Sequence, residues 1–179
     1  MDKSEAAINF AKDRGLRQTP RQELMSWRAS GRAVVAAVCY RLQANGEVEF
    51  LLVRTRAGRW TFPKGGVDGD RTAAIAAARE AREEAGVRGP VEALAFTWYL
   101  HYKSENEVHS VNAHLCRVVH VETPDELFRT PRWFSAERAK RRLREERPSL
   151  FGDELERVVD RAVLRIESGV LPADFAILN

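Results

Sequence analysis

Cysteine is scarce in this chain: only Cys39 and Cys116 occur among its 179 residues. Two thiols in separate apolar runs cannot build a disulfide framework or a four-ligand zinc site, so both read as buried, reduced and inert. Lysine is rare as well, found at positions 3, 12, 64, 103 and 140, and the rest of the 29 basic residues are arginine. Arginine is the better fork for phosphate oxygens. No apolar run approaches the ~18 residues needed to cross a bilayer, and the start Met1-Asp-Lys-Ser-Glu5 lacks the apolar core of a secretory signal. The expected location is therefore the cytoplasm, with no membrane partner. A dominant charge is missing too: 29 bases against 26 acids leave +3, too little for a histone-like or tail-driven nucleic-acid binder. Aromatic and basic residues do not interleave as they do in single-strand binders, so nucleic acid is not an expected partner.

What is present suits one compact domain with appended elements. Residues 1–31 are polar and alternate in charge, and read as an N-terminal arm. The nearly all-apolar run Arg32–Arg41 and the segment Glu47–Thr55 read as strands joined at Asn45-Gly46, a strong hairpin signal. A loop over 56–71 leads into an alanine-rich helix over 72–85, stopped at Gly86 as a C-cap would stop it. Residues 91–102 and 108–121 predict a second hairpin. Ser135 is placed to cap a basic helix from Ala136 to Arg147. The last helix follows Pro148, and its stripe of Leu155, Val158, Val159, Ala162, Val163 and Ile166 must be covered by the domain or by a partner. The boundaries read 1–31 arm, 32–147 domain, 148–179 C-terminal helical extension. The arm and extension would either cap the domain or cover a homodimer interface.

The segment Gly65–Val87 carries the chemistry. On a helix advancing ~100° per residue, Glu80, Glu83 and Glu84 project from one face. Like charges at this spacing disfavour a helix by a few tenths of a kcal/mol per pair unless a cation offsets them. Hard oxygen ligands on one face suit Mg²⁺ or Mn²⁺, which take their remaining positions from water and substrate phosphates. Balance by Arg79 and Arg82 on a solvated face is the competing reading. Alanines 74, 77, 78, 81 and 85 form an adjacent face smooth enough to pack on a sheet, and Pro63-Lys64-Gly65-Gly66 permits close backbone approach to a ligand.

These residues resemble the Nudix hydrolases, whose signature is G-x5-E-x7-R-E-U-x-E-E-x-G-U with U a bulky aliphatic. Here it stands as Gly65, five residues, Arg71, seven residues, then Arg79-Glu80-Ala81-Arg82-Glu83-Glu84-Ala85-Gly86-Val87. The similarity extends to Arg59-Trp-Thr-Phe-Pro-Lys-Gly65 and to Arg132-Trp-Phe-Ser-Ala-Glu137. Two positions depart from the signature: Arg71 replaces its first glutamate, and Ala81 its bulky aliphatic. Arg79 then needs another partner, for which Asp68 or Asp70 is the candidate.

The resemblance implies an α/β fold, an α/β/α sandwich with a mixed β-sheet. It implies divalent-metal-dependent hydrolysis of a pyrophosphate bond by water attack on phosphorus. Glu80 and Glu84 would be the main ligands, Glu83 a ligand or water-orienting base, the Gly65 carbonyl a further ligand, and Arg79 a catalytic partner. Lys64, Arg54, Arg56 and Arg71 are the candidate contacts to a phosphorylated small-molecule substrate. Glu105, Glu107, Glu122 and Glu126 are possible extra acids, read by default as solvated loop residues. The four histidines lack metal-site spacing, and Trp60 and Trp133 are expected to pack the fold. Residues 86–89 and 125–139 look like the diphosphoinositol polyphosphate and diadenosine polyphosphate hydrolysing branch. The competing functions are a non-catalytic module of this fold binding a phosphorylated ligand, and an RNA 5′-end pyrophosphohydrolase.

Overall fold

A computed structural model describes residues 33–67, 69, 72–104, 107–169 and 175–176. The N-terminal arm, Asp68, Asp70, Arg71 and Glu105 lie outside the described residues, as do the side chains of 102–108. The strands are β1 (Val34–Leu42), β2 (Val48–Arg54), β3 (Trp60–Thr61), β4 (Lys64–Gly66), β5 (Val87–Arg88), β6 (Val91–Glu92), β7 (Thr97–Ser104), β8 (Glu107–Arg117), β9 (His120–Val121), β10 (Arg132–Ser135) and β11 (Phe175–Ala176). The helices are α1 (Ala73–Ala85), α2 (Ala136–Arg144) and α3 (Ser149–Glu167).

The main sheet runs β10-β2-β1-β8-β6-β11, with β3 on β2, β4 on β1 and β7 on β8. It is mixed, because β1 and β8 are parallel while the other pairs are antiparallel. Strand β1 explains the apolar run. Val35, Ala37 and Cys39 join the core under α1, whereas Ala36, Val38 and Tyr40 join the core under α2 and α3. With helices on both faces neither side meets water, so alternation gives way to a continuous apolar stretch. The result is the expected α/β/α sandwich. Among the described residues no helix is long and apolar enough to cross a membrane.

The β1–β2 turn forms at Asn45-Gly46, where Gly46 takes φ 83° and the Gln43 N–H donates to the Glu47 carbonyl at 2.8 Å. The stripe on α3 is covered by the domain itself: Leu155, Val158, Val159 and Ala162 are buried in the second core, and Val163 and Ile166 pack against it. Buried Glu154 anchors this helix by accepting from the Leu100 N–H at 3.4 Å and from Arg157 at 2.7 Å.

Two local expectations need correction. The stretch 91–121 is not one long hairpin. Val91 leaves β7 to pair with Cys116 at the far end of β8 and to fill the core under α1, while β9 pairs with β5 in a separate ribbon. Ser135 does precede α2, but its side chain makes no capping hydrogen bond, since the helix starts directly from β10. The two cysteines, distant in sequence, are register partners across β1 and β8. Both are free and buried, and the Cys39 thiol is pushed up by its hydrogen bond with Cys116 and by burial.

Candidate active site

Helix α1 owes its position to its small face. Ala74, Ala77, Ala81 and Ala85 are buried against the sheet, so the backbone approaches closely. Thr72 caps the start by accepting from the Ile75 N–H, and Gly86 ends it at φ 62°. Fixed at both ends, the helix aims its glutamates at the β4 loop.

Glu80 and Glu84 are both buried, at 7% and 3% exposure. A Cβ at Gly65 would fall directly on the Glu80 carboxylate, so this glycine is required by proximity rather than by backbone angle. Glu84 Oε2 accepts the Lys64 N–H at 3.1 Å. Gly65, Glu80 and Glu84, assigned together from the signature, are therefore neighbours. Glu83 is more exposed and is held by Arg79 Nη1 at 3.2 Å and Arg82 Nη2 at 3.3 Å. Arg79 also reaches Glu80 at 3.0 Å and donates to the Gly66 carbonyl at 3.0 Å, which ties the loop to the helix.

The three carboxylates stand beside three guanidiniums, Arg79, Arg82 and Arg129. Arg129, on the 3₁₀ turn Leu127–Arg129, pairs with Glu84 Oε1 and with Glu126 at 2.6 Å. The turn hangs from α1: the Glu126 N–H donates to the Glu83 carbonyl at 3.0 Å, and Arg82 meets Asp125 at 2.9 Å. Burial pushes the Glu84 carboxyl up to about 7, against the pull of Arg129 and Lys64. Burial raises Glu80 likewise, with Arg79 opposing. Lys64 is pushed down to about 8, first by burial, while Glu84 and Glu80 favour its charge and Arg129 and Arg147 disfavour it.

Among the described residues no three His, Cys, Asp or Glu side chains converge into a ready-made metal cage. The donor chemistry nonetheless fits a hard divalent cation. Two buried carboxylates lie beside a glycine backbone, and their negative charge is offset by Arg79 and Arg129. A divalent ion would offset that charge more strongly than a guanidinium does.

The remaining candidates lie around this centre. Arg54 stacks over Trp60 at 4.4 Å and donates to the Gly58 carbonyl, and Arg56 lies over Phe128 at 4.5 Å. Both stand at the rim beside the Arg129 turn rather than on the glutamates. Arg71 lies outside the described residues, as do Asp68 and Asp70, the expected partners of Arg79. Trp60 is buried edge-on to Phe134 at 5.1 Å and packs the fold as expected. Glu122 pairs with Arg88 at 3.0 Å. Glu126 is no plain solvated acid: besides holding Arg129, its charge raises the Glu80 carboxyl. Sequence reasoning missed Arg129 as a site residue, because nothing in local periodicity links a 3₁₀ turn to a helix 45 positions earlier.

Comparison with known proteins decides the lineage. The family model of the NUDIX domain matches residues 32–152. The chain belongs to the Nudix family. Nudix hydrolase 21, chloroplastic, of Arabidopsis thaliana is 32% identical over 127 residues, covering 66% of this chain and 63% of that protein. Nudix hydrolase 4 of the same plant is 34% identical over 122 residues, covering 63% and 59%. The chain thus spans about three fifths of the length of these curated relatives. Among solved structures, a C. elegans Ap4A hydrolase binary complex has TM-score 0.56 at 23% identity, covering 77% of this chain and 99% of that one. The NUDIX domain of Shewanella oneidensis NrtR with ADP ribose has TM-score 0.58 at 16% identity, covering 83% and 99%. At these identities the two likenesses speak for the Nudix fold alone.

Proposed function

We propose that this Nudix protein is a divalent-metal-dependent pyrophosphohydrolase of the cytoplasm, acting on a dinucleoside polyphosphate or a diphosphoinositol polyphosphate. The observation that carries this reading is the pair of buried carboxylates, Glu80 and Glu84, pressed against the Gly65-Lys64 backbone. Burying two unneeded acids side by side is costly. Glu80, Glu84 and the Gly65 carbonyl would hold Mg²⁺ or Mn²⁺, with Glu83 joining them or orienting water. When bound, the ion supplies charge neutralisation of the diphosphate and activation of the attacking water. Glu83, the most exposed of the three, would serve the water, and Arg79 holds it at 3.2 Å while bracing Gly66. Lys64, with its ammonium near the carboxylates, would meet a phosphate oxygen, and Arg54, Arg56 and Arg71 would contact phosphates at the rim.

A substrate panel with Mg²⁺ or Mn²⁺, run on the wild type and on Glu83→Gln, tests the reading. Metal-dependent turnover that collapses in the variant is expected. Ligand binding with no turnover by the wild type would replace the enzyme with a binding module, and preferential release of pyrophosphate from RNA 5′ ends would change the substrate.

Two further outcomes follow from the same centre. Gly65→Ala should lower kcat/KM by at least about tenfold through displacement of Glu80, in the range typical of misplaced metal-site groups. The clash is with the far end of a flexible side chain rather than with backbone, so the melting temperature should stay within about 3 °C, the equivalent of roughly 1 kcal/mol; a larger fall would show a structural role instead. Arg71→Glu, which restores the signature residue, should change activity less than about tenfold, below the 10–100-fold typical of a lost second-sphere partner, because Arg79 already braces the loop through the Gly66 carbonyl and Glu80. A greater gain would mean that the present loop is catalytically impaired.

A further inference from the structure

Between the β2–β3 turn, β7 and the start of α3 lies a cleft lined by Thr55, Arg59, Leu100, His101, Arg147 and Phe151. Its polar lining is almost entirely cationic or neutral. Arg147 is fixed by donating to two backbone carbonyls, Leu143 at 2.7 Å and Trp60. Neither Arg147 nor Arg59 has a carboxylate within ion-pair distance among the described residues. Most guanidiniums around them are paired, as with Arg79, Arg82, Arg129, Arg144 and Arg157.

Two unpaired guanidiniums sharing a partly buried cleft repel each other, and desolvation adds to the cost. Burial pushes Arg147 down to about 10, with Arg59 contributing and Tyr99 and the neighbouring Glu146 opposing. His101 is pushed down to about 3 by burial, then by Lys64, Arg147 and Arg59. The Tyr99 hydroxyl, fully buried within electrostatic reach of Arg147 and Glu84, has no hydrogen-bond partner among the described residues. Pro148 and Phe151 bring the N-terminus of α3, which has no side-chain cap, to the same cleft, and its dipole favours an anion. Each of these costs is relieved by one kind of guest, a multiply charged oxyanion.

We infer that the cleft of Arg59, His101 and Arg147 is a second anion site, which holds a phosphate group of the substrate other than the one attacked. Lys64 is within electrostatic reach of Glu84 and Glu80 and also of Arg147. A diphosphate centred on the glutamates does not need both sites. A ligand with at least one more phosphate does, whether the phosphates form a linear chain or decorate a cyclitol. The role of the cleft in turnover rests on the hydrolase reading above; its affinity for phosphate does not.

Inorganic tripolyphosphate and pyrophosphate, titrated calorimetrically into the whole protein with Mg²⁺ present so that a short ligand can seat at the glutamates, test the binding. Arg59→Gln should weaken tripolyphosphate at least tenfold and pyrophosphate less than threefold. Arg138→Gln, the same charge change on an exposed face of α2, should leave both within twofold. Because Arg147 also ties Trp60 to α2, its own replacement is a poorer probe, and His101→Asn serves as the second variant with a loss of threefold or more. In turnover, Arg59→Gln should raise KM at least tenfold for a dinucleoside tetraphosphate or a diphosphoinositol polyphosphate, leaving kcat and the KM for ADP-ribose within threefold. The longer substrate that shows the effect identifies the source of the extra phosphate. Equal losses for short and long ligands, or an unchanged tripolyphosphate affinity, would overturn the second site while the hydrolase reading stood. Arg59-dependent tripolyphosphate binding by a protein that cleaves nothing would keep the site and remove the hydrolase reading.

Discussion

Glu84→Gln is expected to lower kcat/KM by at least about 100-fold, the upper end for groups acting through a metal sphere, while leaving the melting temperature of the chelator-treated protein unchanged or higher. The two effects come from one fact. Glu84 is almost fully buried and its carboxyl is pushed up to about 7 by burial. A carboxyl with a folded pKa above its unfolded one stabilises the fold fully below the unfolded pKa and loses that contribution as pH rises through 7. The ionised Glu84 therefore opposes folding above pH 7, by on the order of 3 kcal/mol for such a shift. Glutamine keeps an oxygen for the Lys64 N–H and sheds the charge, and Arg129 retains Glu126 at 2.6 Å. The stability difference between variant and wild type should be greatest above pH 7 and vanish below about pH 4.5, where both side chains are neutral. Adding Mg²⁺ should raise the melting temperature of the wild type and leave the variant's almost unmoved. Thermal scans across pH, with and without metal, read all of this; a variant that melts more than about 5 °C lower in chelator would contradict the account.

Gly86→Ala is expected to cost the protein both stability and activity. Gly86 holds φ 62°, and an added Cβ would strike the Glu122 carbonyl and the Pro124 backbone, neither of which can swing away. The left-handed conformation costs ~1–2 kcal/mol for alanine, and overpacking adds roughly 1–3. A loss of about 2–5 kcal/mol corresponds to a fall in melting temperature of roughly 5–15 °C at this chain length. Activity should fall too. The Glu122 N–H donates to the Gly86 carbonyl at 2.7 Å, and this junction starts the loop that carries Arg129 to Glu84. Calorimetric melting together with turnover is the check, and a fall below about 2 °C would show that the junction yields more easily than its geometry implies.

The parts of this protein legible from sequence are those governed by short-range rules. The apolar run of β1, the Asn45-Gly46 turn, the alanine face of α1 and its stop at Gly86 all appear where periodicity and turn chemistry place them. The glutamate cluster was equally legible, because helical spacing alone puts 80, 83 and 84 together. What escaped depends on pairing between distant segments. Val91 departs from the expected hairpin, pairing with Cys116 and filling the core under α1. Arg129, Arg59, His101 and Arg147 come from four separate stretches that meet only once the sheet has formed. Each looks like ordinary surface charge when read alone.

The parallel pairing of β1 with β8 also sets the order in which this molecule can become competent. Its register joins Val34 to Val111 and Tyr40 to Arg117, so the chain between them, including all of α1, is one large loop until that pairing forms. Non-local closure of this kind is slow compared with helix formation. Helix α1 can thus form early, but Glu80 and Glu84 gain their buried setting only after the two central strands meet. In refolding, recovery of activity should therefore lag behind helical ellipticity and coincide with burial of Cys39 and Cys116, whose protection from thiol reagents reports the same event.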